Sequence, residues 1–90
     1  MEVLYRRTFL KDLNKLKNEP VYQEIHELAF TVLPEAKTLR DVPGVKAMKG
    51  YPKRYRIRLG QYRIGIEVEK RGKVEMMRVL HRHEFYRYFP

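Results

Sequence analysis

The apolar positions follow a helical period in the first third of the chain. Two segments repeat at three or four residues, the spacing that places side chains on one face of a helix. These positions are Phe9, Leu10, Leu13 and Leu16 in the first segment and Val21, Ile25, Leu28, Ala29 and Val32 in the second. Pro20 separates the two segments and Pro34 ends the second, because proline lacks the amide hydrogen that a helix interior needs. The pattern predicts an antiparallel helix hairpin with one apolar face.

The second half alternates apolar and polar positions, as a half-buried strand does. Predicted strands begin at Tyr55, Tyr62 and Lys73, and a short β-like run at residues 2–5 precedes the helices. Gly60-Gln61 fits the tight turn between the first two of these later strands. Residues 34–54 contain several prolines and glycines with little periodicity, so we predict a long connection there.

The order β-α-α-β-β-β predicts an α+β domain of two layers, with the helix hairpin on one face of an antiparallel sheet. A chain of 90 residues forms one domain, which we assign to residues 1–90. No apolar run approaches the roughly 18 residues of a membrane span, and the first residues lack the apolar stretch of a signal peptide. We therefore expect a cytoplasmic protein with no membrane partner. The absence of cysteine excludes disulfides and a thiol nucleophile.

The positive charge is concentrated in the second half. The chain has 20 Lys and Arg against 11 Asp and Glu, a formal net charge of +9. Residues 1–45 are balanced, and no acidic residue occurs between Asp41 and Glu67. Tyr51, Tyr55 and Tyr62 are interleaved with the basic residues of that window, a composition typical of nucleic-acid-binding surfaces. The alternative is a solvated basic face that only keeps the protein soluble.

The predicted hairpin places two unusual pairs on the face away from the helices. If Gly60 and Gln61 form the turn, Arg58 lies opposite Arg63 and Arg56 lies opposite Gly65. Like charges directly opposite one another destabilise a sheet by up to about 1 kcal/mol. A glycine inside a strand often marks the close approach of another group. A phosphate bound on this face would explain both features; the alternative is that the arginines splay into water.

Several segments taken together resemble the RelE/ParE superfamily of toxins from bacterial and archaeal toxin–antitoxin pairs. They are Met48-Lys49-Gly50, Tyr55-Arg56-Ile57-Arg58-Leu59, Tyr62-Arg63-Ile64, Val79-Leu80-His81-Arg82 and Phe85-Tyr86. The resemblance implies a small β-α-α-β-β-β fold. It also implies one of two activities: ribosome-dependent cleavage of mRNA in the A site, as in the RelE branch, or non-catalytic inhibition of DNA gyrase, as in the ParE branch.

The residue types that RNA-cleaving members use have counterparts here. The resemblance implies catalytic roles for Arg63, Arg82 and Tyr86, with His81 or His83 as the acid. The basic residues predicted to bind RNA are Lys49, Lys53, Arg54, Arg56, Arg58 and Arg78. Because the strand arginines and the tyrosine are all present, the resemblance favours the RelE branch.

This chain departs from the best-known RelE toxin in carrying arginines at two positions where that toxin has lysines. A lysine can give up its proton, whereas Arg56 and Arg58 effectively cannot. Histidine suits proton transfer near neutral pH, and His81 and His83 flank Arg82. Which histidine faces the site stays open, because a continued strand would place both on one face and a helical turn would separate them.

The resemblance therefore implies a metal-independent endoribonuclease (an mRNA interferase) that uses no cofactor. His81, His83 and Glu84 resemble a set of metal ligands, but cleavage by the RNA's own 2′-hydroxyl needs no metal and we expect none. The expected partners are mRNA, the ribosome and a cognate antitoxin, with operator DNA bound only by the toxin–antitoxin complex. The alternatives are a ParE-like inhibitor of gyrase and a plain RNA-binding module.

Overall fold

The computed structural model describes residues 1–90 as one mixed sheet with helices against both faces. The helical elements are α1 (Arg7–Lys15), α2 (Tyr22–Glu27), a π-helical turn (Leu28–Val32), α3 (Leu33–Glu35) and α4 (Arg82–Tyr88). Short 3₁₀ turns span Leu39–Asp41 and Lys70–Gly72. The strands are β1 (Val3–Tyr5), β2 (Val45–Met48), β3 (Tyr51–Leu59), β4 (Tyr62–Val68) and β5 (Val74–His81). The α+β class is confirmed.

The sheet has one strand more than predicted. Its order is β1-β5-β4-β3-β2, and β1 runs parallel to β5 while the other neighbours are antiparallel. Strand β2 lies in the predicted long connection, and β3 begins at Tyr51 rather than Tyr55. The predicted β3–β4 register is confirmed, with Leu59 opposite Tyr62 and Arg58 opposite Arg63.

The main core lies between the sheet and the helical segments α1 to α3. Its fully buried side chains include Phe9, Ile25, Leu33, Ile57 and Ile64. Most of these are apolar positions of the predicted helix stripes and strands, so the periodicity predicted most of the core. Leu33 lies beyond the predicted stripe, and Leu10, which the stripe includes, is 43 % exposed. None of the helices has the length and apolar character required to cross a membrane.

A second, smaller core holds α4 on the opposite face of the sheet. Phe85 and Phe89 of the C-terminal segment are buried there with Met77. A Cβ atom added to Gly65 would lie 2.6 Å from the Phe89 ring. The close approach predicted at Gly65 therefore exists, but the expectation that the notch stays open for a phosphate is wrong, because Phe89 fills it.

Replacing Gly65 with alanine should lower the free energy of unfolding by about 1–3 kcal/mol, because the added methyl group overlaps the Phe89 ring. Urea denaturation would measure the loss. In a Phe89→Ala background the ring is gone, so Gly65→Ala should cost much less there. Equal costs in the two backgrounds would contradict this contact.

The edge of β5 is completed by side chains of α1, because β1 pairs only with Val74 to Met76. The Thr8 hydroxyl donates to the Met77 carbonyl at 2.9 Å. The Val79 amide donates to the Asp12 carboxylate at 3.1 Å. Asp12 thus acts as a substitute strand partner and joins α1 to the sheet.

Candidate nucleic-acid interface

Four basic side chains project from the α4 face of the sheet. Residues directly opposite one another on neighbouring strands share a face. Lys46 lies opposite Arg56, which lies opposite Gly65, and Arg58 lies opposite Arg63. Because Gly65 contacts Phe89, both rows lie on the face that α4 partly covers. We call the surface formed by Lys46, Arg56, Arg58 and Arg63 the cationic face.

No carboxylate neutralises the cationic face. The protein's four ion pairs are Arg6–Glu75, Arg54–Glu67, Lys73–Glu2 and Arg78–Asp12. Arg56 donates through Nη1 to the Gly44 carbonyl at 3.0 Å, which fixes its direction without cancelling its charge. The Arg58 side chain is exposed and has no hydrogen-bond partner within the protein; its backbone amide donates to the Gly44 carbonyl at 3.0 Å. An anion at this surface would therefore meet uncompensated positive charge.

Arg63 is the most buried member of the cationic face, with 9 % of its surface exposed. Its Nη1 donates to the carbonyl oxygens of Gly60 and Tyr62, each at 2.9 Å, and so supports the β3–β4 turn. No buried side-chain nitrogen in the protein is left without a hydrogen-bond partner. The other two guanidinium nitrogens of Arg63 have no partner, so they are exposed to solvent. Arg63 thus combines a structural role with donors that remain free.

Helix α4 places Arg82 and Tyr86 beside this surface. Phe85 and Phe89 face the sheet, and the Tyr88 ring lies 5.5 Å from the Arg78 guanidinium on the β5 side. Tyr86 lies about 160° around the helix from Tyr88, on the opposite flank. Arg82 lies one turn before Tyr86, so the helical period places it on the same flank, turned away from Arg78.

Both side chains on that flank are accessible. Tyr86 is 58 % exposed, and the Arg82 side chain is exposed without a partner in the protein. The Arg82 amide donates to the Gln61 carbonyl at 2.8 Å, which ties the start of α4 to the β3–β4 turn. This turn also holds Arg63, so the elements that carry the two arginines are joined directly.

Some residues predicted to bind RNA lie elsewhere. Arg78 donates to Asp12 at 2.8 and 3.1 Å, and these bonds raise the pKa of the Arg78 guanidinium. Arg54 pairs with Glu67 at 3.3 Å, and its guanidinium lies 5.7 Å from the Phe89 ring. Each of these predicted RNA-binding arginines is already paired with a carboxylate, so we leave Arg78 and Arg54 outside the central cluster.

The two predicted lysines lie away from the arginine cluster. Lys49 is exposed at the turn between β2 and β3. Lys53 lines a shallow pocket with Glu67 and Glu69 at the far end of the sheet. Neither residue lies beside Arg63 or Arg82, so we do not include them in the central cluster.

The two histidines stack on each other at the first turn of α4. Their ring centroids are 4.8 Å apart, and the Nδ1 of His81 accepts the His83 amide at 3.2 Å. His81 lies opposite Tyr62 on the face of the first helices, not on the cationic face. The chain does enter a helix directly after β5, which is one of the two alternatives that the sequence left open. This helical turn stacks the His81 and His83 rings on each other and does not separate them. We therefore do not place His81 or His83 in the catalytic cluster.

Comparison with known proteins agrees with the fold. The family model described as "ParE toxin of type II toxin-antitoxin system, parDE" matches residues 3–86. The chain belongs to the RelE/ParE toxin family. Toxin RelE3 of Methanocaldococcus jannaschii is 41 % identical over 91 residues, with full coverage of both chains.

Solved structures of related toxins share the architecture. The RelB-RelE antitoxin–toxin complex from Methanococcus jannaschii matches with a TM-score of 0.74 at 35 % identity, over 97 % of this chain and 99 % of that one. The RelBE2 complex of Mycobacterium tuberculosis shows the same fold with a TM-score of 0.67 at 23 % identity, over 89 % of this chain and 95 % of that one. The RelE-like fold of this toxin is thus shown by both sequence and structure.

An acidic cluster marks the end of the toxin's sheet that lies away from Arg82. Carboxylate oxygens of Glu67, Glu69 and Glu75 lie within 4.8 Å of one another. The hydrogen bond from Arg6 holds the pKa of Glu75 below its usual value, and the hydrogen bond between Glu69 and Glu75 raises the pKa of Glu69. Because Glu67 and Glu75 are paired with Arg54 and Arg6, this end of the sheet carries charges of both signs, unlike the cationic face.

Proposed function

We propose that this RelE/ParE toxin is a metal-independent endoribonuclease that cleaves mRNA in the ribosomal A site. The observation that carries the proposal is the uncompensated pair Arg58 and Arg63 beside the flank of α4 that presents Arg82 and Tyr86. Cations without carboxylate partners suit a phosphodiester whose charge increases during the reaction. The similarity to toxins named RelE supports the same branch.

In this proposal the RNA supplies its own nucleophile. The 2′-hydroxyl loses its proton and attacks the adjacent phosphorus, the bond to the 5′-oxygen breaks, and that oxygen takes up a proton from water. The products are a 2′,3′-cyclic phosphate and a free 5′-hydroxyl. Arg63 and Arg82 hold the scissile phosphate and stabilise its developing charge, while Arg56 and Arg58 fix the backbone. Tyr86 stacks on a base or helps to take the 2′-hydroxyl proton. DNA lacks the 2′-hydroxyl, so it would be bound but not cut.

A cognate antitoxin is the protein partner that we infer. The related RelE structures are complexes with RelB antitoxins. A toxin with a net charge of +9 is attracted to an acidic partner, which would cover the cationic face or displace α4. Operator DNA would be bound by the toxin–antitoxin complex.

Primer extension on an mRNA translated in a cell-free system tests the proposed reaction. We expect cuts at in-frame positions with the toxin and ribosomes, and none when the ribosomes are omitted. Cuts on RNA without ribosomes would support the proposed cleavage reaction and contradict its dependence on the ribosome. If the folded toxin makes no cuts, the proposal is wrong, and inhibition of gyrase supercoiling then becomes the activity to test.

A further inference from the structure

We propose that the RNA backbone leaves the arginine cluster across β3 and onto β2, where Lys46 binds one of its phosphates. This inference deepens the proposed function and rests on it for the identity of the ligand. Lys46 lies directly opposite Arg56 in an edge strand. Side chains directly opposite in an antiparallel pair lie about 5 Å apart at Cβ, so the two cations form one continuous row.

Lys46 is available for such a contact. Its side chain is exposed and belongs to none of the four ion pairs. Arg56 is held toward the start of β2 by its hydrogen bond to the Gly44 carbonyl. The guanidinium of Arg56 therefore connects the Arg58–Arg63 pair with the edge strand that carries Lys46.

The other routes away from the cluster are less suitable for a polyanion. On the β5 side, Phe85 and Phe89 pack α4 onto the sheet and cover it. Toward Arg54, the positive charge is already compensated, because Arg54 is paired with Glu67, and Glu69 and Glu75 lie next to that pair. The route across β3 onto β2 is open and cationic, and it passes no acidic side chain, since none occurs between Asp41 and Glu67.

Fluorescence anisotropy with a short single-stranded RNA tests this route. The RNA carries 2′-O-methyl groups, which prevent cleavage, and binding is measured over a range of salt concentrations. Lys46→Ala should weaken binding several-fold and reduce the slope of log K against log salt by about 0.7, the value for one phosphate contact on a single strand. Lys46→Arg keeps the charge and should bind like the wild type. Lys11→Ala, an exposed change on α1, is the matched control and should have no effect.

The outcomes separate this inference from the proposed function. If Lys46→Ala binds RNA with the wild-type affinity and salt slope, the β2 route is wrong, whatever the translation assay shows. If Lys46→Arg binds as weakly as Lys46→Ala, a simple phosphate contact is also wrong. If the toxin makes no cuts during translation but Lys46→Ala still lowers the salt slope, the proposed reaction fails and the RNA route stands.

Discussion

Replacing Arg82 with alanine should reduce the rate of RNA cleavage about 100- to 1,000-fold, the loss typical of one charge-stabilising donor in a preorganised site. The side chain lies on the flank of α4 that carries Tyr86, and it is exposed with no partner within the protein. Its removal should therefore leave the fold intact, whereas Arg63→Ala would also remove two hydrogen bonds from the β3–β4 turn. Arg82 is thus the sharper probe of the reaction.

Arg87→Ala is the matched control, because Arg87 is an exposed arginine on the same helix. It lies about 140° around α4 from Arg82, away from the sheet, so cleavage should change by less than about twofold. Thermal unfolding of both variants would confirm that they remain folded. Equal losses of activity in the two variants would show that only the net charge matters and would contradict the proposed cluster.

The fold and the opposed arginines could be predicted from the sequence because strand alternation fixes which face each side chain occupies. Tyr55, Ile57 and Leu59 match apolar partners across the Gly60-Gln61 turn in one register only. That register placed Arg58 opposite Arg63, and the structure has the same pair. The alternation over Tyr55–Leu59 and Tyr62–Val68, joined by a recognisable turn, was sufficient for this part of the site.

The sequence did not predict strand β2, because four residues are too few to establish the alternation of apolar and polar positions that marks a strand. It stands between Gly44 and Gly50, and Pro52 follows in β3, so the segment has the composition of a loop. Pairing with β3 is what makes it a strand, and pairing is a tertiary effect. The prediction consequently missed Lys46 as a member of the cationic face.

The positions of Phe89 and the histidines depend on how α4 docks, which local pattern does not determine. Gly65 correctly indicated a close approach, but the approaching group came from the C-terminus and was not an external ligand. Asp12 did leave a detectable pattern. It lies three residues after Phe9 and next to Leu13, so a charged residue occupies the apolar stripe of α1. A charge at such a position predicts a buried partner.

Replacing Asp12 with alanine should lower the free energy of unfolding by about 2–4 kcal/mol. The carboxylate is 5 % exposed and accepts hydrogen bonds from Arg78 and from the Val79 amide. Its loss leaves a half-buried guanidinium without its counter-charge and an amide at the edge of β5 without an acceptor. Urea denaturation would measure this against a total stability of about 5–15 kcal/mol for a domain of this kind.

Three variants separate the charge of Asp12 from its role as a strand partner. Asp12→Asn retains an oxygen for the Val79 amide and should lose less stability than Asp12→Ala. Asn14→Ala, an exposed change on the same helix, should alter the free energy of unfolding by less than about 0.5 kcal/mol. In an Arg78→Met background no guanidinium is left without its counter-charge. Asp12→Ala should therefore lower the free energy of unfolding less there than in the wild type. Equal costs in both backgrounds would show that the amide contact alone accounts for the loss, and that the buried ion pair contributes nothing to holding α1 against β5.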